Sequence, residues 1–148
     1  MIDGVVTKPL KTIADPRGSI RHMLRRDWPE FNEIGEVYFS SVEPGAVKAW
    51  RKHTRMTMQL AVPVGAVSIA LYDDRPGSPT FKEVTVLSAG VESDAEYILL
   101  TIPPGIWNGF KGIAEVSSLV VNCASILHDP EESISLPMDS PEIPYSWT

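Results

Sequence analysis

The feature that most constrains this chain is a series of short, β-branched segments separated by turn signals. The 148 residues include 13 prolines and 10 glycines, and no segment shows a sustained 3.6-residue apolar period. The strand-like segments are VYFSSV, MQLAVPV, AVSIALYDD, KEVTVLSAG, AEYILLTI and SSLVVNCASIL. Segments of this length and spacing are typical of antiparallel sandwiches and barrels. The sequence therefore predicts an all-β fold.

Several turns can be placed from composition alone. DPRGS at residues 15–19 predicts a tight turn, since Pro presets φ and Gly permits the reversal. Two strands are expected to meet at Val64-Gly65. The last 20 residues hold four prolines, which excludes a long helix or a central strand there. We expect this tail to wrap the surface, with Trp147 pinning its end.

Composition places the chain among ordinary globular proteins. With 43% apolar and 22% charged residues, we expect one domain spanning residues 1–148. No apolar run reaches the roughly 18 residues of a membrane helix, and the N-terminal sequence lacks the order of a signal peptide. The single cysteine, Cys123, has no internal partner, which favours a cytoplasmic protein with Cys123 as buried filler.

The charge is distributed unevenly along the chain. The formal net charge is −6, which argues against nucleic-acid binding. Residues 1–55 carry a balance of +3, and residues 56–148 carry −9. A basic pole on an acidic protein suits a small anionic ligand such as a phosphate ester. A solvated basic face without a ligand is the other interpretation, and charge alone favours it.

Two stretches resemble the metal-binding motifs of the cupin barrel, but the ligands are missing. Gly45 and Gly65 bracket one histidine, His53, where that motif has a histidine pair. The second motif occurs as PPGIWN, with Asn108 in the place of a histidine. A transition-metal site needs three or four converging N, O or S ligands. We therefore expect no catalytic metal and no cofactor.

Five segments, in order, resemble the metal-free dTDP-4-dehydrorhamnose 3,5-epimerase family of cupins. DPRGS matches the family's D-x-R-G turn, and WRKH at residues 50–53 lies where the family has R-G-L-H. YDDRPGSPTF at 72–81 matches V-D-x-R-x-x-S-P-T-F and is the most specific signal. IPPGIWNGF at 102–110 resembles I-P-x-G-x-x-H-G-F, and residues 128–147 resemble the closing segment.

The resemblance implies an antiparallel jelly-roll barrel that forms homodimers, with N-terminal strands exchanged or packed across subunits. It also implies an enzyme of deoxysugar and polysaccharide biosynthesis. Family members remove a proton beside the keto group of a nucleotide-linked 4-keto-6-deoxy sugar and return one on the opposite face. A neutral imidazole suits this task, provided that a carboxylate fixes its tautomer. The enolate needs a positive or hydrogen-bonding neighbour.

Carried over position by position, the resemblance assigns His53 as the base and Asp139 as its carboxylate partner. A turn-capping role for Asp139 is nearly as well supported. Arg17 falls where the family contacts the sugar nucleotide. Trp107 has two interpretations, stacking at the pocket mouth or core packing. The predicted substrate-binding residues are Arg17, Arg51, Arg55, Trp107, Asn108 and Asn122.

The chain departs from the family at the positions that assist the base. The family's enolate-stabilising lysine falls on Met58, its pocket histidine on Asn108, and its opposite-face tyrosine near Val121 or Asn122. Cations that could replace the lost charge are Arg51, Lys52 and Arg55. These losses leave two alternatives open, a non-catalytic sugar-nucleotide-binding cupin and a keto-sugar isomerase. We expect the acidic pair Asp73-Asp74 to form a salt-bridged turn with Arg75.

Overall fold

The computed structural model describes all 148 residues, which form twelve β-strands and no helix. No segment could therefore cross a membrane as a helix. In chain order the strands are β1 (Val6–Pro9), β2 (Thr12–Asp15), β3 (Gly18–Arg21), β4 (Glu36–Val42), β5 (Val47–His53), β6 (Met58–Val64), β7 (Ala66–Asp73), β8 (Val84–Gly90), β9 (Ile98–Ile102), β10 (Ile106–Gly112), β11 (Ser118–Ala124) and β12 (Ser133–Ser135).

The strands form two five-stranded antiparallel sheets and one separate hairpin. Sheet 1 has the order β1-β9-β6-β11-β4, and sheet 2 has the order β12-β5-β10-β7-β8. The prediction of an antiparallel all-β fold is confirmed. The prediction of a barrel needs correction, because no strand pairing joins an edge of one sheet to an edge of the other.

The two sheets face each other over a common apolar core. Seventeen buried residues form this core, and Val62, Leu71 and Leu100 are among those with no exposed surface. Burying each such side chain contributes about 1.5–3 kcal/mol. The thiol of Cys123 is also buried, and burial raises its pKa, so the prediction that it is filler is confirmed.

The tight turn between β6 and β7 requires glycine at position 65. Gly65 has a φ of 72°, and a Cβ there would lie 2.3 Å from Ser118 Oγ. Both the positive φ and the lack of space therefore exclude a side chain. Pro63 lies beside an irregularity in the β6–β11 register, where a missing N–H does not interrupt the ladder.

The turn after β7 is built around the buried carboxylate of Asp73. This carboxylate accepts bonds from the Arg75 guanidinium at 2.8 Å, from Ser78 Oγ at 2.6 Å and from Thr80 Oγ1 at 2.7 Å. The hydrogen bond from Arg75 does most to hold the pKa of Asp73 far below its ordinary value, and Ser78 and Thr80 add to it. The predicted salt bridge to Arg75 is confirmed for Asp73, whereas Asp74 pairs with Lys52 instead.

The C-terminal tail packs on the outer face of sheet 2. Trp147 lies 5.1 Å from Trp50 between ring centroids, and Tyr145 meets both rings edge-on. This apolar cluster holds the tail without a long strand, as the proline content predicted. At the opposite end of the chain, the β2–β3 hairpin leaves all of its residues exposed.

Candidate active site

A cavity of about 410 Å³ opens between the two sheets. Sheet 1 lines it through β4, β6 and β11, and sheet 2 lines it through β5, β10 and β12. Its walls are formed by Tyr38, Ser40, Lys48, Ala49, Trp50, Arg51, His53, Met58, Leu60, Asn108, Phe110, Val120, Asn122, Ser135 and Leu136. A volume of this size accommodates a small molecule.

His53, at the end of β5, is the buried imidazole of this cavity. Its Nδ1 pairs with Glu132 Oε1, whereas its Nε2 is buried and has no partner in the protein. Because a carboxylate only accepts, the proton lies on Nδ1 and the Nε2 lone pair is free. The arrangement leaves a proton acceptor at the cavity wall.

Glu132 is fixed as firmly as the histidine. Its second oxygen, Oε2, accepts the backbone N–H groups of Arg55 at 3.0 Å and Met56 at 3.1 Å. Burial by itself would raise the pKa of Glu132. The hydrogen bonds from His53 and from the two backbone groups outweigh burial and place the pKa below its ordinary value. Glu132 is therefore charged when His53 is neutral.

The structure does not bring Asp139 to His53, so the prediction of that pair is wrong. Asp139 is exposed in the tail and lines a separate shallow depression with Ile143 and Trp147. The residue that contacts the imidazole is Glu132, just before β12. Pairing of β12 with β5 places Ser133 opposite His53, which brings the preceding carboxylate alongside the ring.

A bulge in β5 directs two cations into the cavity. Arg51 pairs with Asn108 and Lys48 pairs with Phe110, so two residues of β5 face Gly109 alone. Because the extra residue shifts the alternation of side chains between the two faces of the strand, both Lys48 and Arg51 line the cavity. Lys48 Nζ donates to Ser40 Oγ at 2.9 Å. Neither cation is paired with a carboxylate.

Two amides and one phenol complete the polar lining of the cavity. Asn108 lines the cavity and donates to the Arg51 carbonyl at 3.0 Å. Asn122 is buried on β11, where its Oδ1 accepts the Gln59 N–H at 3.0 Å. Its Nδ2 donates to the hydroxyl of Tyr38, at 2.9 Å, on the neighbouring strand β4.

Four candidates from the sequence lie outside the cavity. Trp107 points to the other face of β10 from Asn108, and its indole N–H donates to Asp74 at 2.8 Å, so core packing is its role. Lys52 pairs with the same Asp74, and Arg55 pairs with Asp129. Arg17, at the exposed tip of the β2–β3 hairpin, pairs with Asp15.

Sequence reasoning missed three residues of this site, namely Glu132, Lys48 and Tyr38. Glu132 follows Asp129-Pro130-Glu131, and three carboxylates in four residues gave no sign of which one turns inward. Lys48 depends on the bulge, and Tyr38 depends on the pairing of β4 with β11. Only three-dimensional structure supplies these two facts.

No three His, Cys, Asp or Glu side chains converge where they could hold a metal ion. His22 and His128 are both exposed and lie away from the cavity, as surface residues do.

The chain is similar to known proteins in sequence and in fold. No protein-family model matches the chain. A probable low-salt glycan biosynthesis epimerase of Haloferax volcanii, Agl13, is 34% identical over 97% of this chain and 88% of its own length. A crystal structure of a dTDP sugar isomerase from Desulfovibrio desulfuricans superposes with a TM-score of 0.94 at 42% identity, covering 99% of this chain and 92% of that one.

A more distant structure supports the fold alone. The dTDP-4-dehydrorhamnose 3,5-epimerase of Bacillus anthracis superposes with a TM-score of 0.84 at 17% identity, over 97% of this chain and 85% of that one. The expected jelly-roll cupin type is therefore shared with this enzyme, although the sheets remain unclosed here.

Proposed function

Since this chain belongs to the family of sugar epimerases related to dTDP-4-dehydrorhamnose 3,5-epimerase, we propose that it epimerises a nucleotide-linked 4-keto-6-deoxy sugar. It is a carbohydrate epimerase of glycan or polysaccharide biosynthesis. In this proposal the substrate binds in the cavity between the sheets, and His53 removes a proton from a carbon beside the keto group.

The observation that carries the proposal is the free Nε2 of His53. A buried ring nitrogen without a partner costs free energy, so its retention favours a role with a ligand. Glu132 holds the other nitrogen and stabilises the imidazolium that forms when Nε2 accepts a proton. This is the arrangement that a C–H proton abstraction requires.

Arg51 and Lys48 suit the charges of the substrate. A nucleotide sugar brings a diphosphate, and the reaction adds an enolate oxygen. Two cations without carboxylate partners line the same cavity, and each can make charge-assisted hydrogen bonds to these oxygens. Lys48 and Arg51 thus supply the positive charge that Met58 cannot. Asn108, on sheet 2, and Asn122, on sheet 1, supply amide groups to the same cavity.

We also propose that the active protein is a homodimer in which Arg17 reaches the partner's cavity. The guanidinium lies at the tip of a fully exposed hairpin, where it is 89% exposed, and Arg17 does not line the cavity of its own chain. Ile13 and Ile20 face each other on this hairpin with 54% and 63% of their surface uncovered. The proposed cellular location is the cytoplasm, in keeping with one free cysteine.

The test is proton NMR of dTDP-4-keto-6-deoxyglucose incubated with the protein in D2O. We expect loss of the signal at carbon 3, carbon 5 or both, faster than in the enzyme-free control, because enolisation exchanges these protons. The carbons that exchange also identify whether one or two centres are inverted. No exchange above the control, with this or another 4-keto-6-deoxy sugar nucleotide, would contradict the proposal.

The same sample separates the two alternatives. A keto-sugar isomerase would move the carbonyl and produce a new keto carbon, an outcome that the 42% identical dTDP sugar isomerase makes worth checking. A binding protein would raise its melting temperature with sugar nucleotide and leave the protons in place.

A further inference from the structure

We propose that Tyr38 is the acid that delivers a proton to the face of the substrate opposite His53. The inference rests on the proposed epimerase function. Epimerisation needs two proton-transferring groups, one on each face of the carbon. The family's opposite-face tyrosine falls near Val121 or Asn122, and neither of these residues can act as the acid. Tyr38 supplies a phenol from the adjacent strand.

The two sheets place Tyr38 and His53 on facing walls of one cavity. Tyr38 lies on β4 in sheet 1, and His53 lies on β5 in sheet 2. Tyr38 is directly opposite Asn122 in the β4–β11 register, so its phenol projects from the same patch of wall. A sugar ring held between the sheets therefore presents one face to each residue.

The hydrogen bonds around Tyr38 leave its proton available. The Gln59 backbone N–H can only donate, so Asn122 Oδ1 is the acceptor there and Nδ2 must donate to Tyr38. The phenol oxygen therefore accepts, and no group in the protein accepts the Tyr38 proton in return. An N–H directed at this oxygen also stabilises the charge that develops there as the proton leaves. Asn122 is a positioning residue for Tyr38.

The proton balance closes without an outside reagent. His53 Nε2 takes the proton from the carbon beside the carbonyl, and the C–H electron pair becomes the enolate. Tyr38 then gives its proton to the opposite face, the carbonyl re-forms, and a new C–H bond is made. The imidazolium returns its proton to water, and the tyrosinate takes one from water, so no oxidation or reduction occurs.

Substitution Tyr38→Phe tests the assignment, with deuterium incorporation and inversion measured separately by NMR in D2O. His53 alone still forms the enolate and returns deuterium to the same face. We therefore expect continued exchange with retained configuration, while inverted product falls about 100-fold or more. The matched control is Tyr145→Phe, whose hydroxyl makes no hydrogen bond and lies outside the cavity. It should invert the sugar like the unaltered protein.

Each other outcome overturns the assignment. Inversion at an unchanged rate by Tyr38→Phe shows that the phenol is not the acid. An equal loss of exchange and inversion shows that Tyr38 supports the site without transferring the proton. Absence of exchange by the unaltered protein overturns the epimerase function itself, and the Tyr38 assignment with it.

Discussion

At the scale of residues, the site is organised around a histidine whose two nitrogens have separate roles. Glu132 holds Nδ1, whereas Nε2 is buried and has no partner, and the residue lines the cavity. Two backbone N–H groups fix the carboxylate in turn. The chain segment after β5 therefore holds Glu132 in place, and Glu132 in turn orients the imidazole.

Replacing the carboxylate with its amide isolates this orienting role. In Glu132→Gln the side chain keeps its size, but it no longer carries the charge that stabilises an imidazolium. We expect kcat to fall about 100-fold with little change in KM, measured as the initial rate of substrate epimerisation. The matched control is Asp139→Asn, which should keep normal activity. The opposite result, with only Asp139→Asn inactive, would restore Asp139 as the partner.

At the scale of elements, strand β5 brings together the base and both free cations. The bulge opposite Gly109 permits this, since regular alternation would direct Lys48 away from the side on which Arg51 and His53 lie. The sequence alone predicted the strand and its histidine but not the irregularity.

Arg51 offers a test of the anion-binding part of the site. Arg51→Gln removes the charge, and a hydrogen bond to a charged group contributes about 1.5–3 kcal/mol. We expect KM for the nucleotide sugar to rise at least 10-fold, and kcat to change less. Arg25→Gln, an exposed arginine paired with Asp27, serves as the control and should leave KM unchanged. An unaltered KM in Arg51→Gln would remove Arg51 from the binding site.

The turn after β7 contributes stability and not chemistry. Asp73→Asn breaks a buried ion pair and should lower the free energy of unfolding by about 3 kcal/mol in urea titrations at neutral pH. Asp74→Asn is the neighbouring control, and its more exposed pair with Lys52 should cost less than about 1 kcal/mol.

This stability difference also has a defined pH dependence. The pKa of Asp73 is depressed in the folded protein, chiefly by the hydrogen bond from Arg75. Its carboxylate therefore stabilises the fold above the ordinary value of 3.8, and the contribution is lost as pH falls below it. The Asp73→Asn variant and the unaltered protein should converge in acid. A gap that stays constant down to low pH would contradict the assignment.

At the scale of the whole molecule, the local sequence pattern predicted where the strands lie better than it predicted which residues meet in space. Turn residues and β-branched runs located the Gly65 turn and the tail, because both follow from the conformational preferences of single residues. His53 was identified from the order of the segments that resemble the family. Glu132 was missed because a proline-rich tail leaves its register undetermined. Trp107 was misplaced as a candidate although Asn108, beside it on a strand, must point the other way.

The hairpin provides the test of assembly. Ile20→Asp puts a charge on an exposed apolar pair, and we expect it to reduce the mass in solution from twice 16.3 kDa to a single chain by light scattering. Val116→Asp changes an exposed apolar residue in a different loop and should leave a dimer. A dimer that survives Ile20→Asp would place the interface elsewhere.

The central claim is that His53 removes the substrate proton. The measurement that tests it most directly is the rate of deuterium incorporation from D2O into dTDP-4-keto-6-deoxyglucose by His53→Asn, beside His128→Asn as the exposed-histidine control. We predict that His53→Asn loses at least about 100-fold in this rate and that His128→Asn retains it. Deuterium incorporation by His53→Asn at the rate of the unaltered protein would contradict the account.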